Sequence, residues 1–177
     1  TFMAMESEAY FAFDVRKTNL YFQNGVTMGE EILKIFDDTI NGYTTLTVPV
    51  SPDHLKPGEN TITIRAGNKV SPFDETSTEN RDDFYIKNVR LVLADGTTIY
   101  DPNYGDPTVE YSVGDSAGMQ SVYDFTFTID QEKFASKAFL FNTASVKDGK
   151  HEIKAVLHDK EIKKEVITDN TGPIIKP

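Results

Sequence analysis

Apolar and polar residues alternate through most of this chain, and the alternation breaks at short clusters of Asn, Asp, Gly and Pro. This is the pattern of β-strands with one buried face, separated by turns. In residues 10–15, YFAFDV, Phe11, Phe13 and Val15 fall on one side and Tyr10, Ala12 and Asp14 on the other. Leu20 and Phe22 continue that period up to Asn24-Gly25, a hairpin dipeptide. Residues 46–50 place Leu46, Val48 and Val50 on one face, and residues 61–64 place Ile62 and Ile64 on another. Between them Lys56-Pro57-Gly58-Glu59-Asn60 reads as a turn, because proline presets φ and glycine accepts positive φ. The two strands are therefore expected to pair as an antiparallel hairpin. Residues 122–129 carry Tyr123, Phe125, Phe127 and Ile129 on a single face and form the clearest strand.

Other segments fill in the same class. Residues 29–38 fit a short amphipathic helix or a strand, and the β character of their neighbours favours the strand. Residues 69–81 are polar and proline-bearing, hence a long loop. In residues 83–93 the apolar face changes over near Asn88, which predicts a bulge or bend. Asp95-Gly96 turns that strand back into residues 97–100, and after the dense turn at 101–107 a strand follows at 109–113. Further strands are expected at 138–141, 152–157 and 161–167. The fold class that results is all-β: an antiparallel β-sandwich of immunoglobulin-like or jelly-roll kind. One sandwich region over 1–177 is expected. A boundary near 114–121 is the alternative, and it would leave a C-terminal piece shorter than the roughly 100 residues of an immunoglobulin-type sandwich.

Composition supports a packed domain and narrows its partners. The 177 residues include twelve Phe and eight Tyr, enough to fill a core. A formal charge of −10 argues against nucleic acid, which needs clustered Lys and Arg. The absence of cysteine excludes disulfides and thiolate chemistry. No apolar run approaches a bilayer span, so membrane insertion is not expected. The chain starts at Thr1 and reads as an excised piece whose targeting signals lie elsewhere. The string TNLYFQ at 18–23 resembles a viral-protease site, but the alternation running into it from Phe11 assigns it to the native chain.

Two stretches carry a family resemblance. VKDGKHEI at 146–153, followed by DNTGP at 169–173, resembles bacterial extracellular immunoglobulin-like modules. LKPGENTITIR at 55–65 is similar to jelly-roll modules of secreted glycoside hydrolases. The resemblance implies a modular protein, secreted or attached to the bacterial cell surface, in which this piece accompanies a catalytic domain. It also makes 169–177 an exit linker to a following module. Jelly-roll sugar binders of this kind show a Trp platform, whereas this chain has no Trp.

Motifs for turnover are missing. His54, His151 and His158 lack the HExxH spacing of a zinc hydrolase. GDSAG at 114–118 has the wrong spacing for a nucleophile elbow. No Walker loop or GxGxxG occurs, and no carboxylate pair stands out for glycoside hydrolysis. Acids cluster at Asp74, Glu75, Glu79, Asp82 and Asp83, at Asp101 and Asp106, and at Asp115. The spacing of Asp101, Asn103 and Asp106 would suit calcium as a cofactor, although Asp and Asn are also ordinary turn formers. For carbohydrate, the tyrosines at 43, 85, 100, 104 and 111 are candidates, and Tyr100, Asn103 and Tyr104, in or beside the DPNYGD turn, are the expected site. The expected function is a non-catalytic accessory module that spaces its neighbours or binds carbohydrate. The alternative is an adhesion or surface-layer module contacting a neighbouring protein module, and a small hydrolase comes last.

Overall fold

A computed structural model describes residues 2–74, 76–157 and 160–172. They form two compact units, residues 2–137 and 138–172. The division therefore follows residues 114–121, which lie inside the larger unit. In chain order the strands are β1 (Phe2–Ala4), β2 (Ala9–Arg16), β3 (Gly25–Met28), β4 (Glu31–Ile35), β5 (Thr44–Val50), β6 (Gly58–Arg65) and β7 (Phe84–Val92). They continue with β8 (Thr98–Ile99), β9 (Tyr111–Val113), β10 (Val122–Ile129), β11 (Ser136–Ala138), β12 (Gly149–Leu157) and β13 (Lys160–Thr168). Three single 3-10 turns are the only helical elements among the described residues. The expected all-β sandwich is the fold.

In the larger unit one sheet runs β5-β2-β7-β8, with β9 also on β7, and the other runs β10-β6-β3-β4. Every registered strand pair is antiparallel. The alternation seen in the sequence sets the faces. Phe11, Phe13 and Val15 of β2 and Phe84, Ile86 and Leu91 of β7 meet Ile62, Ile64, Phe125 and Phe127 from β6 and β10, all fully buried. The Phe11 ring lies 5.9 Å from Phe127 and 6.3 Å from Phe125, so aromatic contacts join the two sheets. Phe36, just after β4, packs at 5.9 Å from both Phe13 and Phe84.

The expected pairing of residues 46–50 with 61–64 is not formed. β5 pairs with β2, and β6 pairs with β3 and β10, so the connection between β5 and β6 crosses from one sheet to the other. The buried Asn60 side chain fixes that crossing. Its Oδ1 accepts from Lys56 N at 2.9 Å, and its Nδ2 donates to the Lys56 and Gly58 carbonyls at 2.7 and 2.9 Å. Gly58, at φ +85°, supplies the backbone bend.

Three further expectations change. Leu20–Phe22 is a 3-10 turn rather than strand, capped by the Asn19 side chain, and Leu20 and Tyr21 point outward. Asn24-Gly25 is not a hairpin turn. Asn24 is buried, its Oδ1 accepting from Gly67 N (3.0 Å) and its Nδ2 donating to Asp82 Oδ2 (2.5 Å). At 138–141 strand pairing stops at Ala138, and Phe139–141 are exposed loop. The other elements agree: residues 31–35 are strand, 69–81 a long loop, and the C-terminal strands fall in the β12–β13 hairpin.

Candidate functional site

The outward face of the β5-β2-β7-β8 sheet gathers polar and aromatic side chains that the core does not need. Strand parity puts Tyr10, Asp14 and Arg16 of β2 there, opposite Val92, Lys87 and Tyr85 of β7. Thr45 of β5 stands opposite Asp14. Half of the eight tyrosines (Tyr10, Tyr43, Tyr85 and Tyr100) belong to this face or its rim, so they are not consumed by core packing.

A bulge organises the middle. The β2–β7 register shifts between Ala12/Arg90 and Asp14/Lys87, which places the extra residue at Asn88. Asn88 adopts φ +53°, the left-handed region that Asn tolerates better than most residues. Its amide nitrogen donates to Asp14 Oδ2 at 3.2 Å, and its amide oxygen accepts from the Tyr100 hydroxyl at 3.1 Å. Thr45 Oγ1 donates to Asp14 Oδ1 at 2.7 Å, and Arg90 Nη1 donates to the Asn88 carbonyl at 2.7 Å. The result is a connected lattice from β5 across to the end of β8.

A second cluster occupies the corner. Arg16 clamps Glu110 with two parallel bonds, Nε to Oε2 and Nη2 to Oε1, each 2.9 Å. The Tyr43 hydroxyl also donates to Glu110 Oε2. That hydroxyl, and then Arg16, hold the Glu110 carboxyl below the usual carboxylate range. Burial, followed by the bond to Glu110, pushes the Tyr43 phenol up. The Arg16 guanidinium lies 4.2 Å from the Tyr85 ring centre, and Lys87 Nζ lies 4.1 Å from that of Tyr43. Such cation–ring contacts are worth about 0.5–1 kcal/mol at exposed sites.

The residues singled out from the sequence separate in space. Tyr100 joins the lattice just described. Tyr104 instead packs edge-on against Tyr111 (5.1 Å) and Phe125 (4.9 Å), with Tyr123 at 6.2 Å, closing the sandwich beside β9 and β10. Asn103 is exposed in the turn between them. Asp101 is buried, and both its oxygens serve the backbone: Oδ1 accepts from Asn103 N at 2.8 Å and Oδ2 from Thr126 N at 2.7 Å. Asp106 Oδ1 accepts from Thr108 N and Oγ1 at 2.9 and 2.7 Å, which lowers its pKa. The loop's acids are thus engaged as turn formers, and no cluster of three or more His, Cys, Asp or Glu fit to hold a metal occurs among the described residues.

The remaining chemistry-bearing residues have local roles. His54 Nε2 sits 3.0 Å from Glu31 Oε2, and His151 Nε2 contacts the Lys147 carbonyl at 2.7 Å. His158 and Glu75 lie outside the described residues. Ser116 Oγ donates to Asp83, so GDSAG is a tied loop. A cleft of about 830 Å³ is lined by Met5, Leu93, Asp95, Glu132 and Lys133 among others. Its Asp95 is bonded to Lys133 at 2.6 Å, which holds that carboxyl far below the ordinary range.

Asp14, Arg16, Lys87 and Glu110 were not singled out from the sequence, Asn88 was expected only as the place of a bulge, and Tyr43 and Tyr85 were among the tyrosine candidates. The outward positions of two strings, YFAFDVR and FYIKNVRLV, carried the signal. Glu110 had none, because it reaches Arg16 across 94 positions of chain.

No family model matches this chain, and no solved structure matches it. It is similar to the uncharacterized protein YvnB of Bacillus subtilis (strain 168), with 46% identity over 176 residues, 98% of this chain. The chain spans 13% of that protein's length.

Proposed function

We propose that this chain is a non-catalytic, carbohydrate-binding accessory module of a longer bacterial protein that is secreted or held at the cell surface, and that the outward face of the β5-β2-β7-β8 sheet is its binding surface. The observation that carries the reading is the gathering of Tyr10, Tyr43, Tyr85 and Tyr100 on one sheet face among fixed hydrogen-bonding groups. Sugars present apolar C–H faces and dense hydroxyls, and they are recognised by aromatic rings beside oriented polar groups. The likeness to one stretch of a much longer bacterial protein supports the modular part of the reading.

Affinity electrophoresis of the chain in gels containing single polysaccharides tests it. Retardation by at least one polysaccharide is expected, and it should fall about tenfold or more in Tyr43→Ala/Tyr85→Ala. Tyr21→Ala alters a tyrosine that is 69% exposed away from this sheet and should change nothing. Retention of full binding by the double variant would reject the surface.

A further inference from the structure

The same face differs in charge from the rest of the molecule. The chain has 28 Asp and Glu against 18 Lys and Arg, yet Arg16, Lys17, Lys87 and Arg90 stand here against Glu8, Asp14 and Glu110. Those acids are already engaged. Glu110 is clamped by Arg16 and Tyr43, Asp14 accepts from Thr45 and Asn88, and Glu8 accepts from the Tyr10 hydroxyl. The cations are less so. Lys87 lies over the Tyr43 ring, Lys17 lies 5.5 Å from the centre of the Tyr85 ring, and among the described residues the Arg90 guanidinium donates to the Asn88 carbonyl alone. Among the described residues none of the three has a carboxylate within salt-bridge distance.

Lys87 adds to the field that lowers the Glu110 carboxyl without bonding it, so among the described residues three cations of an otherwise acidic chain stand on one face with no directly bonded carboxylate. A guanidinium and an ammonium flanking tyrosine rings do match a carboxylate carried on a sugar ring, since charge-assisted bonds are about twice as strong as neutral ones. We infer that the face selects anionic glycans, the uronate-bearing polysaccharides, with Lys87 and Arg90 taking the uronate carboxylate while Tyr43 and Tyr85 meet the sugar rings. This inference rests on the carbohydrate-binding reading above and adds the class of sugar.

The test compares polygalacturonate and alginate with neutral glucan and xylan by affinity electrophoresis, using the chain itself, Lys87→Gln/Arg90→Gln, and Lys56→Gln as a charge control outside the face. Binding to at least one uronate polymer is expected to be ten times or more tighter than to the neutral polymers. It should weaken at least tenfold in the double variant and in 0.5 M salt, on the order of the change that screening gives exposed charges, and remain unchanged in Lys56→Gln. Neutral polymers binding equally well, with the double variant unaffected, would overturn the charge inference and leave the sugar-binding face standing. Binding to none of the four would overturn the inference together with the reading beneath it. The salt series on the unaltered chain decides the matter even if the double variant folds poorly.

Discussion

Asn88 holds a φ of +53° while bridging Tyr100 to Asp14, so a single residue sets both the backbone bulge and the lattice on the outer face. The two roles can be separated. Asn88→Gly accepts the left-handed backbone without steric cost, so unfolding by urea should change by less than about 1 kcal/mol while glycan binding falls. Asn88→Val puts a β-branched side chain where it is disfavoured, and a loss of about 2 kcal/mol or more is expected. Asp101 makes a different case. Its buried carboxylate accepts two backbone N–H groups, those of Asn103 and Thr126. Asp101→Ala should therefore cost about 2–3 kcal/mol, with the same urea midpoint in EDTA as in calcium. A midpoint raised by calcium in the unaltered chain would show the loop to be a metal site instead.

At the level of elements, the Phe-bearing strands carry the stability. Phe11 contacts rings of both sheets, so Phe11→Ala should lower stability by about 3–5 kcal/mol in urea unfolding, whereas an outward threonine such as Thr128 should tolerate Ala within about 0.5 kcal/mol. The β12–β13 hairpin is built otherwise. Ile153 pairs with Lys164 and Ala155 with Ile162, on a face where Ile162 remains 72% exposed. Two-stranded hairpins are marginal alone, so amides of β12 and β13 should exchange with deuterium well before those of β2, β6 and β10. The strands with a full buried face, such as β2, β7 and β10, were legible because that face imposes a period of two, as was the change of face at Asn88. The short apolar runs at 20–22 and 139–141 read as strand and are not. Partnering was not legible: the turn residues at 56–60 suit a hairpin and an inter-sheet crossing alike, and only Asn60's bonds to its own neighbours choose between them. The site shows the same limit. Tyr100 and Tyr104 are close in sequence, and no local signal tells that one faces outward while the other plugs the sandwich edge.

For the whole molecule, acid is the revealing condition. Asp37, Asp53, Asp74, Asp95, Asp106, Glu110 and Asp148 are lowered from their ordinary pKa by hydrogen-bonding partners, so their stabilising contribution is complete above the unfolded values near 4 and is lost as pH falls through the folded ones. Asp82 runs the other way. Burial raises it, so its contribution is full below about 4 and fades as pH rises through its folded value. The first group outnumbers the second, and the thermal midpoint should drop steadily below about pH 4. Asp82→Asn does not titrate and loses that opposing contribution, so its midpoint should fall further between neutral and acid pH than that of the unaltered chain, and a midpoint independent of pH from 5 to 2 would contradict the assignment. The outward face of the five-stranded sheet is the proposed glycan-binding surface. Titration of isotope-labelled protein with a bound oligosaccharide, followed by amide chemical shifts, tests it most directly. The account predicts the largest shifts at Tyr43, Tyr85, Lys87, Asn88 and Tyr100. Shifts confined to Tyr104, Tyr111 and Tyr123, or to the β12–β13 hairpin, would contradict it.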